Sequence, residues 1–167
     1  RECFSNTRLI NLYGPTEAAI DVTVWDAPME NTVLEKVSIG TPIANTGIYI
    51  LDTFLQKQPL GVVGELCISG IQVARGYLNR EELTQEKFIQ NPHKPQERLY
   101  RTGDLARWNA DGTIDFLGRK DTQVKIRGLR IELGEVEQVL LGADEHISQV
   151  VAFVQKVNQQ KVIVAYM

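Results

Sequence analysis

The sequence is poor in the residues that metal centres and nucleophilic triads need. It holds two cysteines and two histidines in 167 residues. Cys3 and Cys67 form no C-x-x-C, and His93 and His146 sit in polar, loop-like stretches. A resident metal site and a Ser/His/Asp triad therefore have no support. Two reduced structural thiols fit a cytoplasmic protein. No apolar run approaches the ~20 residues of a membrane span, so no membrane partner is expected. No basic stripe is present and the net charge is -3, which argues against a nucleic-acid partner. Neither G-x-G-x-x-G nor a P-loop occurs, which removes those two phosphate-binding modes. Internal repeats and low-complexity tracts are absent too.

What is present is ordinary globular chain, enough for one domain or two small ones. "LINLY", "TGIYIL" and "GELCISG" read as strands. "EELTQEKFI" reads as a short helix with Leu83 and Phe88 facing a core, stopped by Asn91-Pro92. "RLYRTGDLARWNADGTIDFLGR" reads as paired strands turning at Asn109 to Gly112. Beyond Asp121 the pattern becomes strand, helix, strand, strand. "TQVKIRG" alternates, and "ELGEVEQVLLGA" is helical with Leu133, Val136, Val139 and Leu140 on one face. "ISQVVAFVQKV" and "KVIVAYM" flank a turn at Asn158 to Gln160. The fold class expected is α/β, with α+β character within the chain. The expected domains are 1–120 and 121–167. The opening "RECFSNTRLINLYG" reads as the interior of a domain, and the second unit reads as truncated.

Three glycine-marked turns carry the chemistry: Tyr13-Gly14-Pro15-Thr16-Glu17, Tyr100-Arg101-Thr102-Gly103-Asp104 and Phe116-Leu117-Gly118-Arg119-Lys120-Asp121. Each one alone is most simply a turn with solvated or locally bonded side chains. Together they suit a nucleotide. Aromatic rings offer stacking faces. An aspartate accepts from both hydroxyls of a ribose. An arginine donates to phosphate or ribose oxygens. A glutamate beside a threonine suits Mg2+ and a phosphate oxygen.

"NLYGPTE", "GELCISGIQVARGYLN", "RLYRTGDLARW" and "GRKDTQVKIRGLRIELGEVE" resemble four successive core motifs of nonribosomal peptide synthetase adenylation domains. These belong to the adenylate-forming superfamily, with acyl-CoA synthetases and luciferases. The resemblance covers nearly the whole chain. It implies the β-rich end of the large N-terminal subdomain over 1–120, and the start of the small C-terminal subdomain over 121–167. It implies two steps: an amino acid and Mg·ATP give an aminoacyl adenylate, and a phosphopantetheine thiol on a peptidyl carrier protein domain takes the aminoacyl group. A condensation domain in the same chain is implied as a further partner.

The resemblance also assigns roles. Tyr13 stacks on adenine with Phe116 on its other side. Thr16 meets phosphate, and Glu17 associates with Mg2+. Asp104 binds the ribose hydroxyls, and Arg119 contacts ribose and phosphate. Leu12, Ile20 and Asp21 line the end of the amino-acid pocket. Asp21, taken as a buried carboxylate, would pair with a basic substrate such as arginine or ornithine, or else bond backbone or a pocket hydroxyl. Asp121 is the hinge. Lys125, Arg127 and Gly128, with Arg130, form a loop that serves the thioester step, or are simply a strand-turn-strand with a solvated basic face. A Ser/Thr/Gly-rich phosphate loop is expected before Arg1, and an essential lysine beyond Met167. Lys156 and Lys161 do not match that lysine. The 167 residues are therefore expected to be inactive by themselves. The alternatives are a stand-alone acyl- or aryl-CoA ligase, or an inactive nucleotide-binding interaction module.

Overall fold

The computed structural model describes residues 7–28, 37–127, 129–158 and 160–167. Cys3, Gly128 and Gln159 lie outside them, as do the side chains of Lys125 and Arg130. The chain divides into two compact units, Arg1–Lys120 and Asp121–Met167.

In the first unit, β1 (Ile10–Tyr13), β2 (Thr23–Asp26) and β3 (Thr41–Pro42) form an antiparallel sheet in that order. A second antiparallel sheet holds β4 (Thr46–Leu51), β5 (Gly64–Gly70), β6 (Phe88–Gln90), β7 (Arg98–Trp108) and β8 (Ile114–Arg119). Its order is β4-β5-β7-β6, and β8 also pairs with β7. β6 takes Arg98 to Tyr100 of β7, and β8 takes Asp104 to Trp108. Both therefore share the edge of β7 opposite β5. Residues just before β3 bond to the start of β8: Ile39 N donates to Ile114 O at 3.0 Å, and Ile114 N donates to Gly40 O at 2.9 Å. These bonds tie the first sheet to the second and bring Tyr13 towards β8.

The core follows strand alternation. Leu66 and Ile68 of β5 join Ile48, Tyr100, Ile114 and Val22 in one apolar cluster. Cys67, between them in sequence, points to the other face and packs with Leu51 and Leu99. β5 is thus buried on both faces, which explains its apolar continuity from Leu66 to Ile68.

The helix α1 (Glu81–Lys87) ends two residues short of the expected Ile89. Phe88 leaves helical geometry, begins β6 and pairs with Tyr100. Its ring is buried, whereas α1 buries no side chain. Burial and strand pairing at Phe88 outweigh another half-turn of helix.

In the second unit, β9 (Gln123–Ile126) and β10 (Leu129–Glu132) form a hairpin. Arg127, in its turn, has φ 51°. α2 (Leu133–Leu141) buries Leu133 and half-buries Val136 and Leu140. Val139 does not share that face and is 73% exposed. At 100° per residue it lies about 120° round the helix from Leu133. β11 (Val151–Val157) and β12 (Gln160–Tyr166) pair antiparallel. Gln160 belongs to the strand, opposite Val157, rather than to the turn. Glu137 of α2 accepts from Ala152 N at 2.8 Å.

Burial pushes the Cys67 thiol up to about 12, with the Glu65 charge adding to the effect. The unfolded thiol ionises near 8.5. The unfolded state therefore releases its proton first as pH rises. This thiol's contribution to stability is complete below about pH 8.5 and is lost towards about pH 12, by about 1.4 kcal/mol per pH unit. In a Cys3→Ser chain, Cys67 should resist Ellman's reagent at pH 8 until guanidinium unfolds the protein. Rapid labelling of the native chain would contradict the burial.

Candidate active site

The site is built on an irregularity in β7. Glu65 pairs with Leu105, and Cys67 pairs with Arg101. Leu66 alone therefore opposes Thr102, Gly103 and Asp104. Gly103 takes φ 75°, open to glycine at little cost. The Thr102 hydroxyl donates to Leu66 O at 2.6 Å and accepts from Asp104 N at 2.9 Å. Lys120 N donates to Gly103 O at 2.8 Å. A bulge of this kind re-aims the side chain that follows it. Here that side chain is Asp104.

Asp104 is buried, and two other strands supply its donors. Arg119, directly opposite on β8, donates from Nη1 to Oδ1 at 2.8 Å. The Tyr13 hydroxyl, at the end of β1, donates to Oδ2. Burial first, and the Asp104 charge second, raise the Tyr13 phenol far above its usual range. It stays protonated and remains a donor. A carboxylate offers about four acceptor directions. Ribose hydroxyls suit such a group.

Phe116 lies on β8, 42% exposed. Its ring centroid is 6.0 Å from that of Tyr13, with the planes inclined by 40°. A base between two parallel rings needs about 7 Å, twice an optimal carbon contact. The rings therefore flank one place without forming an open slot, and Phe116 must tilt for two-sided stacking. Tyr13, Asp104, Phe116 and Arg119, distant in sequence, thus converge.

Gly14 and Pro15 turn the chain out of β1. Thr16–Ala18 form a short 3-10 turn, with Ala18 N and Ile20 N both donating to Pro15 O. Thr16 is exposed. Glu17 is buried and accepts from the Tyr77 hydroxyl at 2.7 Å. Among the described residues no group of three or more His, Cys, Asp or Glu is placed to hold a metal. One carboxylate still suits Mg2+, which keeps most of its ligands from substrate phosphates and water. The residues fit Mg·ATP arriving as substrate.

The three pocket residues stand apart from this cluster. Leu12 precedes Tyr13 in β1 and so faces the opposite side of the sheet. Ile20 is 67% exposed and, although β-branched, has φ 78°. Ala19 before it has φ 55°. Such backbone strain gathers at functional sites, and nothing in the sequence signals it. Asp21 is half-buried rather than buried, and it follows these two left-handed residues. Asp121 and Arg127 are exposed, and the Asp121 carboxylate accepts from Gln123 N at 3.2 Å. His93 is held between Leu55 O, at 2.9 Å, and a stacked Tyr49 ring, and His146 is exposed. Tyr77 and Thr102 are the site residues that sequence reasoning missed. Both lie inside quoted motifs. Thr102 stands two residues from Asp104, at the spacing of a local hydroxyl-to-backbone bond, whereas nothing in the spacing of Tyr77 points to Glu17.

The AMP-binding enzyme family model matches residues 1–78. Tyrocidine synthase 1 of Brevibacillus parabrevis is 60% identical over 144 residues, covering 86% of this chain and 13% of that protein. Gramicidin S synthase 2 of Brevibacillus brevis is 52% identical over 164 residues, covering 98% of this chain and 4% of that protein. A solved NRPS protein containing adenylation and PCP domains superposes with TM-score 0.81 at 31% identity, over 95% of this chain and 32% of that one. The chain belongs to the adenylation domains of nonribosomal peptide synthetases. Its fold is that of the adenylate-forming superfamily. This adenylation-domain chain spans a small part of the relatives it matches.

A Cβ at Gly14 would lie 2.1 Å from Ile20 O and 2.9 Å from Val22 N. Both are backbone atoms, held by the bonds that close the turn. Gly14→Ala should therefore destabilise the protein by about 3 kcal/mol, the upper range for overpacking. Chemical denaturation measures this, and an unchanged midpoint would contradict the close approach.

Proposed function

We propose that this chain supplies the nucleotide-binding part of an enzyme that activates an amino acid as its aminoacyl adenylate. The enzyme then passes the aminoacyl group to the phosphopantetheine thiol of a carrier domain. The observation that carries this reading is the buried Asp104, held by donors from β1 and β8 beside two aromatic rings. High identity to peptide synthetases supports an amino acid rather than a free fatty or aryl acid as substrate. A neighbour that joins adenylation and PCP domains supports the carrier partner. Residues 1–120 are the end of the large subdomain and 121–167 the start of the small one, with the hinge at Asp121.

In this mechanism the protein positions groups and neutralises charge. Asp104 accepts from the ribose hydroxyls and fixes the sugar. Tyr13 supplies a flat apolar face for adenine while its hydroxyl steadies Asp104. Arg119 pairs with Asp104 and presents its guanidinium to ribose or phosphate oxygens. Thr16 donates from its exposed hydroxyl to a phosphate oxygen. Glu17 would hold the Mg2+ of Mg·ATP, which would draw charge from the phosphates when the amino-acid carboxylate attacks the α-phosphate and pyrophosphate leaves. Leu12, across β1 from Tyr13, and Ile20 and Asp21 in the loop before β2 read the amino acid. Asp21 pairs with a basic side chain where the substrate has one. Arg127, with Lys125 and Gly128, serves the thioester step.

Asp104→Asn in the full-length protein keeps side-chain size but removes the charge. Loss of hydrogen bonds to a charged group should raise the KM for ATP by about tenfold to hundredfold. The KM for the amino acid should stay within about twofold, because Leu12 faces across β1 from Tyr13. Pyrophosphate exchange measures both. An unchanged KM for ATP would remove Asp104 from the nucleotide site.

A further inference from the structure

Glu17 has an elaborate setting for a residue in a short surface turn. It is 8% exposed. Its main-chain oxygen accepts from Ala74 N at 2.8 Å. Its carboxylate Oε1 accepts from the Tyr77 hydroxyl at 2.7 Å, across 60 residues of sequence. The segment from Ala74 to Tyr77 therefore grips Glu17 at both backbone and side chain. Tyr77 is itself held. Its N donates to the Thr84 hydroxyl at 2.9 Å, and its ring meets Phe88 edge-on at 5.3 Å. Behind it the Tyr100 hydroxyl lies 3.4 Å from the Tyr77 hydroxyl.

The proton directions follow from the inventory of donors. Each phenol carries one hydrogen. Tyr77 gives its own to Glu17, and the Tyr100 hydroxyl backs the pair. The three groups, Tyr100, Tyr77 and Glu17, run from core to turn. Cooperative chains of this kind fix the orientation of the terminal acceptor. The fixed Tyr77 donor restricts rotation of the carboxylate about its side-chain axis before any ligand arrives.

We infer that Tyr77, backed by Tyr100, is a positioning residue that orients the Glu17 carboxylate towards the Mg2+ of Mg·ATP. The inference rests on the magnesium role proposed for Glu17. Partners behind metal-binding carboxylates commonly matter about tenfold to hundredfold for metal affinity. Tyr77→Phe removes one hydroxyl and keeps the ring against Phe88. Tyr100→Phe removes the more distant hydroxyl and should act in the same direction by a smaller factor.

The test compares Tyr77→Phe, Tyr100→Phe and Glu17→Gln in the full-length protein. Calorimetry measures the binding of Mg·ATP, and of ATP in excess EDTA. Thermal denaturation reports folding alongside. Tyr77→Phe should weaken Mg·ATP binding about tenfold, the lower end of that range, and leave metal-free ATP binding unchanged. A purely structural role for the hydroxyl would weaken both ligands alike, or lower thermal stability alone, and either result would overturn the inference. Unchanged Mg·ATP binding in Tyr77→Phe, with Glu17→Gln impaired, would overturn it while leaving the magnesium role of Glu17 standing. Unchanged Mg·ATP binding in Glu17→Gln would overturn that role and the inference with it.

Discussion

The Asp104 carboxylate, shared by Tyr13 and Arg119, is the interaction on which the site depends. It draws on three strands, β7, β1 and β8. A buried carboxylate is costly unless donors surround it, and removing one partner of a buried pair costs about 3 to 5 kcal/mol. The strands must therefore hold their places for the charge to be tolerated. In return the charge holds the end of β1 against β8, and so sets where the Pro15 turn begins. The ion pair Arg119–Asp104 is a cross-strand pair, and the phenol of Tyr13 closes it from the other sheet.

The bulge at Thr102-Gly103 makes this arrangement possible. A regular ladder would give each residue of β5 one partner on β7. The surplus residues interrupt that ladder, and the Thr102 hydroxyl meets the Leu66 carbonyl in place of a main-chain donor. Asp104 is aimed by backbone irregularity, and the irregularity is kept by one hydroxyl and one glycine. A similar economy governs Glu17. A three-residue turn has little rigidity of its own, so its orientation is borrowed from Tyr77 and the core behind it.

The parts of the fold that were legible in the sequence were those with local causes. β4 alternates, β5 is a short apolar run, and both are bounded by turn residues. The hairpin of β7 and β8 turns at Asn109 to Gly112, where Asp111 accepts from Thr113 N at 2.9 Å. Tyr13, Asp104, Phe116 and Arg119 could be named from their motifs, though only the folded chain shows them converging. What escaped depends on distant contacts. Phe88 leaves a helical pattern because Tyr100 lies across the sheet. Val139 fails to face the core because its angle round α2 is wrong, despite its apolar side chain. The positive φ angles at Ala19 and Ile20 belong to residues that rarely adopt them, so composition hides them. The tie between Glu17 and Tyr77 has no periodicity to reveal it.

The central claim is that Asp104 recognises a ribose through its two hydroxyls. The most direct measurement compares ATP with 2′,3′-dideoxy-ATP by calorimetry on the full-length protein. Loss of two hydrogen bonds to a charged acceptor predicts binding weaker by at least about a hundredfold for the dideoxy nucleotide. Equal affinity for the two nucleotides would contradict the account, since the buried carboxylate would then have no part in holding the sugar.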